Sequence, residues 1–169
     1  PWLGKYDTNG NPEWSKTYEE EIEAGIMELD AEVDPTAGSD CKTVLQTSDG
    51  GYIVSGTSNF WGNRFIILFK TDSDGNISWV QFFGDFEDNY YSSESWVDNL
   101  LIAEDDGYVI YARKGPDKVI IKTNSNGDQE WTTEFYDYGA TAGSLIHTNA
   151  GGYAIINGST LQIFDSNGN

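Results

Sequence analysis

The stretch Asp72-Ser-Asp-Gly75-Asn-Ile-Ser-Trp79 decides the fold, because the same phrase recurs along the chain. In each complete copy the Trp follows the Gly by four residues, and a second phrase ending in Gly-Tyr alternates with the first. Self-similarity at a period of tens of residues is typical of repeat architectures. The further copies of the first phrase are Asp7-Thr-Asn-Gly10-Asn-Pro-Glu-Trp14, Asn124-Ser-Asn-Gly127-Asp-Gln-Glu-Trp131 and a shortened Asp165-Ser-Asn-Gly168-Asn169; those of the second are Ser48-Asp-Gly-Gly-Tyr52, Glu104-Asp-Asp-Gly-Tyr108 and Asn149-Ala-Gly-Gly-Tyr153.

The segments between these phrases have the patterns of short β-strands. Residues 43–47 and 52–57 flank a Ser-Asp-Gly-Gly turn, whose glycines supply the positive φ angles that a tight hairpin needs. Residues 64–71 form a nearly continuous apolar run, which predicts a strand buried on both faces. With 77–83 as the last strand, the unit is a four-stranded antiparallel meander.

Repetition of this unit predicts an all-β chain of 13 strands arranged as β-propeller blades, slightly more than three of them. Propellers close with about four to eight blades, so we expect the chain to be part of a larger propeller. The predicted single segment 1–169 divides into a partial blade 1–18, an acidic insertion 19–40, a blade 42–83, a loop insertion 84–98, a blade 99–136 and a partial blade 144–169.

The acidic insertion 19–40 holds nine acids and no base. Its apolar residues fit two patterns. Ile22, Ile26 and Leu29 have helical spacing. The alternation expected of a strand is shown by Met27, Leu29, Ala31 and Val33. Its secondary structure therefore stays open at this point.

The two phrases resemble the propeller-type repeats of large secreted archaeal and bacterial proteins. They are also similar to the tryptophan-docking repeats of quinoprotein propellers, in which an Asp and a Gly precede a Trp that packs between blades. Asp72 lies three residues before Gly75, whereas the quinoprotein repeat places it four before, so no cofactor site is carried over. The resemblance implies an extracellular or cell-surface location.

Trp14, Trp79 and Trp131 hold equivalent places on the last strand of successive units. We interpret them as structural residues that dock one blade on the next, each burying a large apolar area with its indole N–H satisfied by a turn. Sugar stacking is the alternative interpretation of these side chains.

The Asx–Gly turns offer alternate oxygen ligands and a Gly, a spacing that short calcium loops use. Asp72, Asp74 and Asn76 form the best calcium site of this kind, although the twelve-residue loop with its terminal Glu is missing. The third copy has Asn124 and Asn126 in place of Asp. Because Asx side chains also close turns by bonding nearby backbone N–H groups, plain turns are the preferred interpretation.

Composition excludes several classes of function. With 9 basic and 28 acidic residues the net charge is −19, which disfavours nucleic acid and anionic membrane surfaces as partners. Cys41 is the only cysteine, so no internal disulfide or multi-cysteine metal site is expected. No apolar run approaches the roughly 20 residues of a membrane helix, and no signal peptide is visible.

No convergent catalytic set is visible either. His147 is the only histidine and lies in an apolar strand, Cys41 has no base beside it, and the acids of 84–88 have no partner across a cleft. We therefore predict a non-enzymatic extracellular module with a structural or protein-interaction role, whose partners are other chains or further blades. The alternatives are a carbohydrate- or calcium-binding module that uses the loop 84–98 and the Asx–Gly turns, and part of a larger enzyme with its active site elsewhere.

Overall fold

Tight turns built on the two repeated phrases divide the chain into short antiparallel strands. The computed structural model describes residues 1–27, 38–60, 63–84, 95–114, 117–136, 143–158 and 160–169. These residues form one helix and 13 strands: β1 Trp2–Tyr6, β2 Pro12–Thr17, α1 Glu19–Met27, β3 Ser39–Gln46, β4 Tyr52–Phe60, β5 Asn63–Thr71, β6 Ile77–Phe83, β7 Trp96–Ile102, β8 Tyr108–Lys114, β9 Asp117–Thr123, β10 Gln129–Tyr136, β11 Ser144–His147, β12 Tyr153–Asn157 and β13 Thr160–Phe164.

The strands form four sheets in which every neighbour in sequence is a neighbour in space. We call them sheet 1 (β1–β2), sheet 2 (β3–β6), sheet 3 (β7–β10) and sheet 4 (β11–β13). All pairings are antiparallel. The predicted all-β class with four-stranded meanders is confirmed, and sheets 2 and 3 are consistent with propeller blades.

Glycines at two successive positions make the hairpin turns possible. In the β3–β4 turn, Gly50 has a φ of 84°, which L side chains rarely adopt. A β-carbon on the following Gly51 would lie 2.1 Å from the carbonyl oxygen of Thr71, so no side chain fits there. The second glycine, repeated as Gly107 and Gly152, is therefore a requirement of the backbone, whereas the first position is Asp106 in sheet 3.

The middle strands of sheets 2 and 3 are buried on both faces. In β5 every residue from Phe65 to Thr71 is buried, which confirms the prediction made from the apolar run 64–71. Three apolar clusters lie between successive sheets. Between sheets 1 and 2 the cluster contains Ile67 and Phe69 of sheet 2. Leu68 of sheet 2 packs with Ile110 of sheet 3, and Ile120 of sheet 3 packs with Ile155 of sheet 4. The core is thus a series of interfaces between sheets.

Two strands begin earlier than the alternation of apolar residues indicates. Strand β3 starts at Ser39 and β7 at Trp96, inside the segments 19–40 and 84–98 that we interpreted as insertions. The register shifts between Cys41 and Thr43 in β3 and between Val97 and Asn99 in β7. A bulge of this kind inserts an unpaired residue and breaks the period of two, which hides the start of the strand.

The first part of the acidic insertion is helical. Three acids in the first turn of α1 interact favourably with the positive end of the helix dipole. Ile22 is fully buried with Tyr18 in the cluster between sheets 1 and 2, so the helical spacing is correct for residues 19–27. Residues 28–37 lie outside the described part of the chain. None of the described residues forms a helix long and apolar enough to cross a membrane.

Candidate functional site

The side chain of Trp79 lies across the boundary between sheets 2 and 3. It projects from the last strand of sheet 2 onto the turn of sheet 3, where a β-carbon on Gly127 would lie 2.7 Å from Trp79 Cζ3. Its ring centroid is 5.9 Å from that of Tyr108, at an interplanar angle of 52°. One indole therefore contacts both repeated phrases of the next sheet, the Asx–Gly turn and the tyrosine that follows the second turn.

The same contact is repeated at the other two boundaries. Trp14 of sheet 1 reaches Gly75 and Tyr52 of sheet 2, with a ring separation of 5.8 Å. Trp131 of sheet 3 reaches Gly168 and Tyr153 of sheet 4, with a ring separation of 6.0 Å. In all three places the Gly has a positive φ and no side chain, which is what allows the flat indole to lie on the turn.

Polar groups accompany the stacked rings at the same turns. The carbonyl oxygen of Gly75 accepts a hydrogen bond of 2.9 Å from the Tyr18 hydroxyl, and that of Gly168 accepts one of 2.7 Å from Thr133 Oγ1. Among the described residues, the buried Nε1 of Trp14 has no acceptor. The expectation that a turn satisfies each indole N–H is therefore wrong for Trp14, whose six-membered ring lies against the glycine.

The three residues of the predicted calcium site lie in one turn and bond to each other. Asp72 Oδ1 accepts hydrogen bonds from the backbone N–H groups of Asp74 (2.9 Å) and Asn76 (2.8 Å). Asp72 Oδ2 accepts a third bond of 2.7 Å from the Asn76 side-chain amide. The side-chain oxygen Oδ1 of Asn76 in turn accepts a hydrogen bond from Lys16 Nζ of sheet 1. The Asp72 carboxylate and Asn76 Oδ1 therefore already have partners inside the protein.

These hydrogen bonds favour the ionised form of the turn aspartates. Donation from the side-chain amide and backbone N–H of Asn76 lowers the pKa of Asp72 below its ordinary value. Asn11 has the same effect on the pKa of Asp7, and the backbone N–H and amide of Asn169 lower that of Asp165. In the third copy Asn124 Oδ1 accepts the same two backbone N–H bonds, from Asn126 and Asp128, while the third bond is reversed: the Asn124 side-chain amide donates to Asp128 Oδ2. The amide and the carboxylate have thus exchanged ends of the turn.

Sequence reasoning missed a second repeated group, a buried lysine at the end of the third strand. Lys70 Nζ lies 2.8 Å from Asp49 Oδ2 and donates to the Thr71 carbonyl oxygen at 3.0 Å. The hydrogen bond from Lys70 is the main reason why the pKa of Asp49 lies well below its usual range, and bonds from the Thr47 hydroxyl and the Gly51 backbone N–H add to the effect. The pair ties the β3–β4 turn to the end of β5.

Sheet 3 contains the same lysine with one more acid. Lys122 Nζ lies 2.8 Å from Asp105 and 2.7 Å from Glu130. Burial opposes the charge on Lys122, but hydrogen bonds to Asp105 and Glu130 outweigh it and raise the pKa of the lysine. For Asp105 burial likewise acts against ionisation, and the bond from Lys122 lowers its pKa overall.

Sheet 4 has lost both members of this pair. The position of the lysine, two residues before the Asx of the first phrase, is Ile163, and that of the aspartate, three residues before the Tyr, is Ala150. Comparison of the repeats could have found this relation, because each of the three units that contain the second phrase has either both residues or neither. The joint loss avoids a buried charge without a partner. In sheet 1, which has no second phrase, Lys5 holds the lysine position and pairs with Glu13 at 2.7 Å.

A cleft of about 490 Å³ lies between sheets 3 and 4. Its lining includes Lys122, Glu130, Trp131, His147 and Tyr153. His147 Nε2 lies 2.8 Å from the carbonyl oxygen of Ile102, so the imidazole links the two sheets. This cleft combines aromatic faces with acidic oxygens.

The remaining sequence candidates do not meet in one site. Cys41 lies in β3 of sheet 2 and His147 in β11 of sheet 4. Although Cys41 is exposed as a residue, burial of its thiol raises its pKa to about 11, which keeps it protonated at neutral pH. The acids of 84–88 and most of the loop 84–98 lie outside the described residues. Within the described part of the chain, no group of three or more His, Cys, Asp and Glu side chains is placed to hold a metal ion.

Neither a protein-family model nor a curated protein matches the chain.

Proposed function

We propose that the chain is a non-enzymatic β-propeller segment with a structural or protein-interaction role, acting outside the cell. The observation that carries the proposal is the threefold repetition of one contact, Trp on Gly and Tyr, at successive sheet boundaries. Sheets that meet through one repeated contact form a series, as in propellers and other repeat proteins. Such a series presents large, rigid surfaces to partners.

The distribution of chemical groups supports this role. The buried lysines pair within their own sheets, and the turn aspartates bond to their own turns. These polar groups therefore stabilise local structure. The partners we propose are other protein chains, or further sheets of the same kind.

The first experiment compares Trp79→Ala with Trp2→Ala in dilute solution by chemical denaturation. Trp79 stands at an internal boundary, whereas Trp2 is exposed. We expect Trp79→Ala to lower the free energy of unfolding by about 3 kcal/mol and Trp2→Ala to leave it nearly unchanged. Equal effects of the two substitutions would contradict the role of the repeated contact.

The second experiment is a screen of the purified chain with hydrolase and oxidoreductase substrates, in which we expect no turnover. Turnover that copurifies with the folded protein and disappears in a substituted variant would overturn the non-enzymatic assignment.

Carbohydrate binding is the second function that we propose, and it rests on the cleft between sheets 3 and 4. Its lining pairs Trp131 and Tyr153 with Glu130 and His147, and aromatic faces beside acidic oxygens suit the apolar and hydroxyl faces of a sugar ring. A titration with a panel of neutral oligosaccharides, followed by tryptophan fluorescence, tests this function. Binding that is lost in Glu130→Gln supports it, and the absence of any change with the whole panel removes it.

A further inference from the structure

At each boundary between two sheets, the following sheet covers apolar side chains of the preceding one. We call the face of a sheet that meets the next sheet its front face, and the opposite face its back face. Leu68 of sheet 2 and Ile120 of sheet 3 are equivalent front-face residues, and each is 0% exposed beneath the next sheet. Ile67 and Phe69 of sheet 2 belong to a back face, where they pack toward sheet 1.

The front face of sheet 4 is apolar and exposed. Leu161 takes the position of Leu68 and Ile120 in the repeat, yet it is 63% exposed, and Ile163 beside it is 68% exposed. Cross-strand pairing aligns Leu161 with Ile156, and Ile163 with Ala154 and Ile146, in one continuous patch. None of these five side chains carries a charge.

The back face of sheet 1 is exposed as well. Trp2 and Tyr6, which alternate with the inward-facing Leu3, are 56% and 53% exposed. Gly4 lies between them, and a β-carbon there would meet both rings. In the repeat, Trp2 and Gly4 take the positions of Ile67 and Phe69. In sheet 2 those two residues are covered by the preceding sheet, sheet 1.

We propose that the front face of sheet 4 in one copy of the chain packs on the back face of sheet 1 in a second copy. This inference rests on the proposed function and specifies a second copy of the chain as the partner. The contact continues the internal series, since front meets back at every boundary between the four sheets. A head-to-tail contact of this kind forms a ring if its rotation closes. Counted over the described residues, two copies with four sheets each give a ring of eight sheets, within the range of about four to eight blades known for propellers.

Charge determines the conditions under which the copies meet. Each copy carries a net charge of −19, so two copies repel each other at low ionic strength. Salt screens this repulsion, and sulfate strengthens the burial of apolar surface. We therefore expect association to increase with sodium sulfate concentration, opposite to the response of an interface held by ion pairs.

The test is sedimentation equilibrium of the full chain across the micromolar range in sodium sulfate. Leu161→Arg blocks the front face, Trp2→Arg blocks the back face, and Ser125→Arg in an exposed turn is the control with the same change of charge. Arginine is chosen because it lowers the net negative charge, so added repulsion cannot explain a loss of association. Circular dichroism establishes that each variant is folded.

We expect the unchanged chain and Ser125→Arg to form dimers and each blocked variant alone to be monomeric. A mixture of the two blocked variants should form dimers again through one of the two contacts, in which the intact front face of Trp2→Arg meets the intact back face of Leu161→Arg. The other contact stays blocked, so these dimers should be weaker than those of the unchanged chain. A monomeric unchanged chain, a ladder of larger oligomers, or dimers that persist in Trp2→Arg would each overturn the two-copy ring. The effect of Trp79→Ala on stability is measured at an internal boundary, so it judges the proposed function separately.

Discussion

Trp79 lies on Gly127 so closely that a β-carbon on that glycine would come within 2.7 Å of the indole. The two residues belong to different sheets but to successive copies of one phrase. From the second copy onward, each glycine receives the tryptophan of the preceding copy. The four-residue spacing then places its own tryptophan on the strand that meets the following sheet.

The first prediction separates packing from backbone strain at this contact. Gly127→Ala should destabilise the protein more than Gly10→Ala, by about 1–3 kcal/mol. Both glycines have nearly the same φ, 85° and 83°, in the same kind of turn, but a β-carbon on Gly10 would have no neighbour within 4 Å. Urea denaturation of the two variants measures the difference. Equal losses would show that the indole moves aside without cost.

The second prediction concerns the buried lysine of sheet 3. Asp105→Ala should destabilise the protein by about 1–3 kcal/mol, because Lys122 loses one of its two carboxylate partners. Adding Lys122→Ile should restore most of the loss, since this pair reproduces Ala150 and Ile163 of sheet 4. Denaturation of both single variants and the double variant forms the cycle that measures their coupling. If the losses of unfolding free energy in the two single variants simply add in the double variant, the lysine and the aspartate are not coupled, which would contradict our interpretation of the repeats.

The third prediction is a dependence of stability on pH. The folded protein lowers the pKa of Asp49 and of Asp105 from the ordinary value of 3.8. Their contribution is therefore present above pH 3.8 and is lost as the pH falls through the folded-state values. Thermal unfolding at a series of acidic pH values should show a shallower decline for Asp49→Asn than for the unchanged protein. Parallel curves would remove Asp49 as a source of acid sensitivity.

The fourth prediction distinguishes a plain turn from a calcium loop. Asp72→Asn should fold with its turn intact, because Asn124 already closes the equivalent turn of sheet 3 by accepting the same two backbone N–H bonds. We expect calcium to leave the melting temperature of both proteins unchanged, with magnesium as the control cation. A calcium-specific rise in the unchanged protein that disappears in Asp72→Asn would establish the calcium site instead.

The fifth prediction uses the one non-glycine residue with positive φ in the described part of the chain. Asp106 has a φ of 61° at the turn position that Gly50 and Gly151 occupy in the other copies of the second phrase. Asp106→Gly should stabilise the protein by up to about 1 kcal/mol by relieving this strain. Asp106→Ala should destabilise it, because alanine has no side-chain group to support the left-handed conformation. A gain of stability in both variants would show that removal of the Asp106 charge, and not relief of backbone strain, is the cause.

Much of the fold was predictable because its signals are local. Turn glycines and apolar runs lie within a few residues of the strands they specify, and the predicted bounds of β6, 77–83, agree with the structure. The starts of β3 and β7 were not predictable in this way, since the bulges after Cys41 and Val97 interrupt the alternation. A bulge is fixed by pairing with another strand.

The sheet contacts were only partly visible in the sequence. Spacing identified Trp14, Trp79 and Trp131 as one equivalent set, yet the Gly and Tyr that they contact lie in the next unit of the chain. The exposed front face of sheet 4 was also hidden. Leu161 has the same apolar character as Leu68, and only the absence of a covering sheet among the described residues separates them.

The shared Trp, Gly and Tyr contact has a consequence for how such a chain can change over time. If the segment that carries sheet 2 were deleted, Trp14 would meet Gly127 and Tyr108 in place of Gly75 and Tyr52, which are residues of the same types. Duplication of a whole unit would likewise create matching boundaries on both sides. Genes of this kind can therefore gain or lose whole units by recombination, while each new junction brings together residues that already fit.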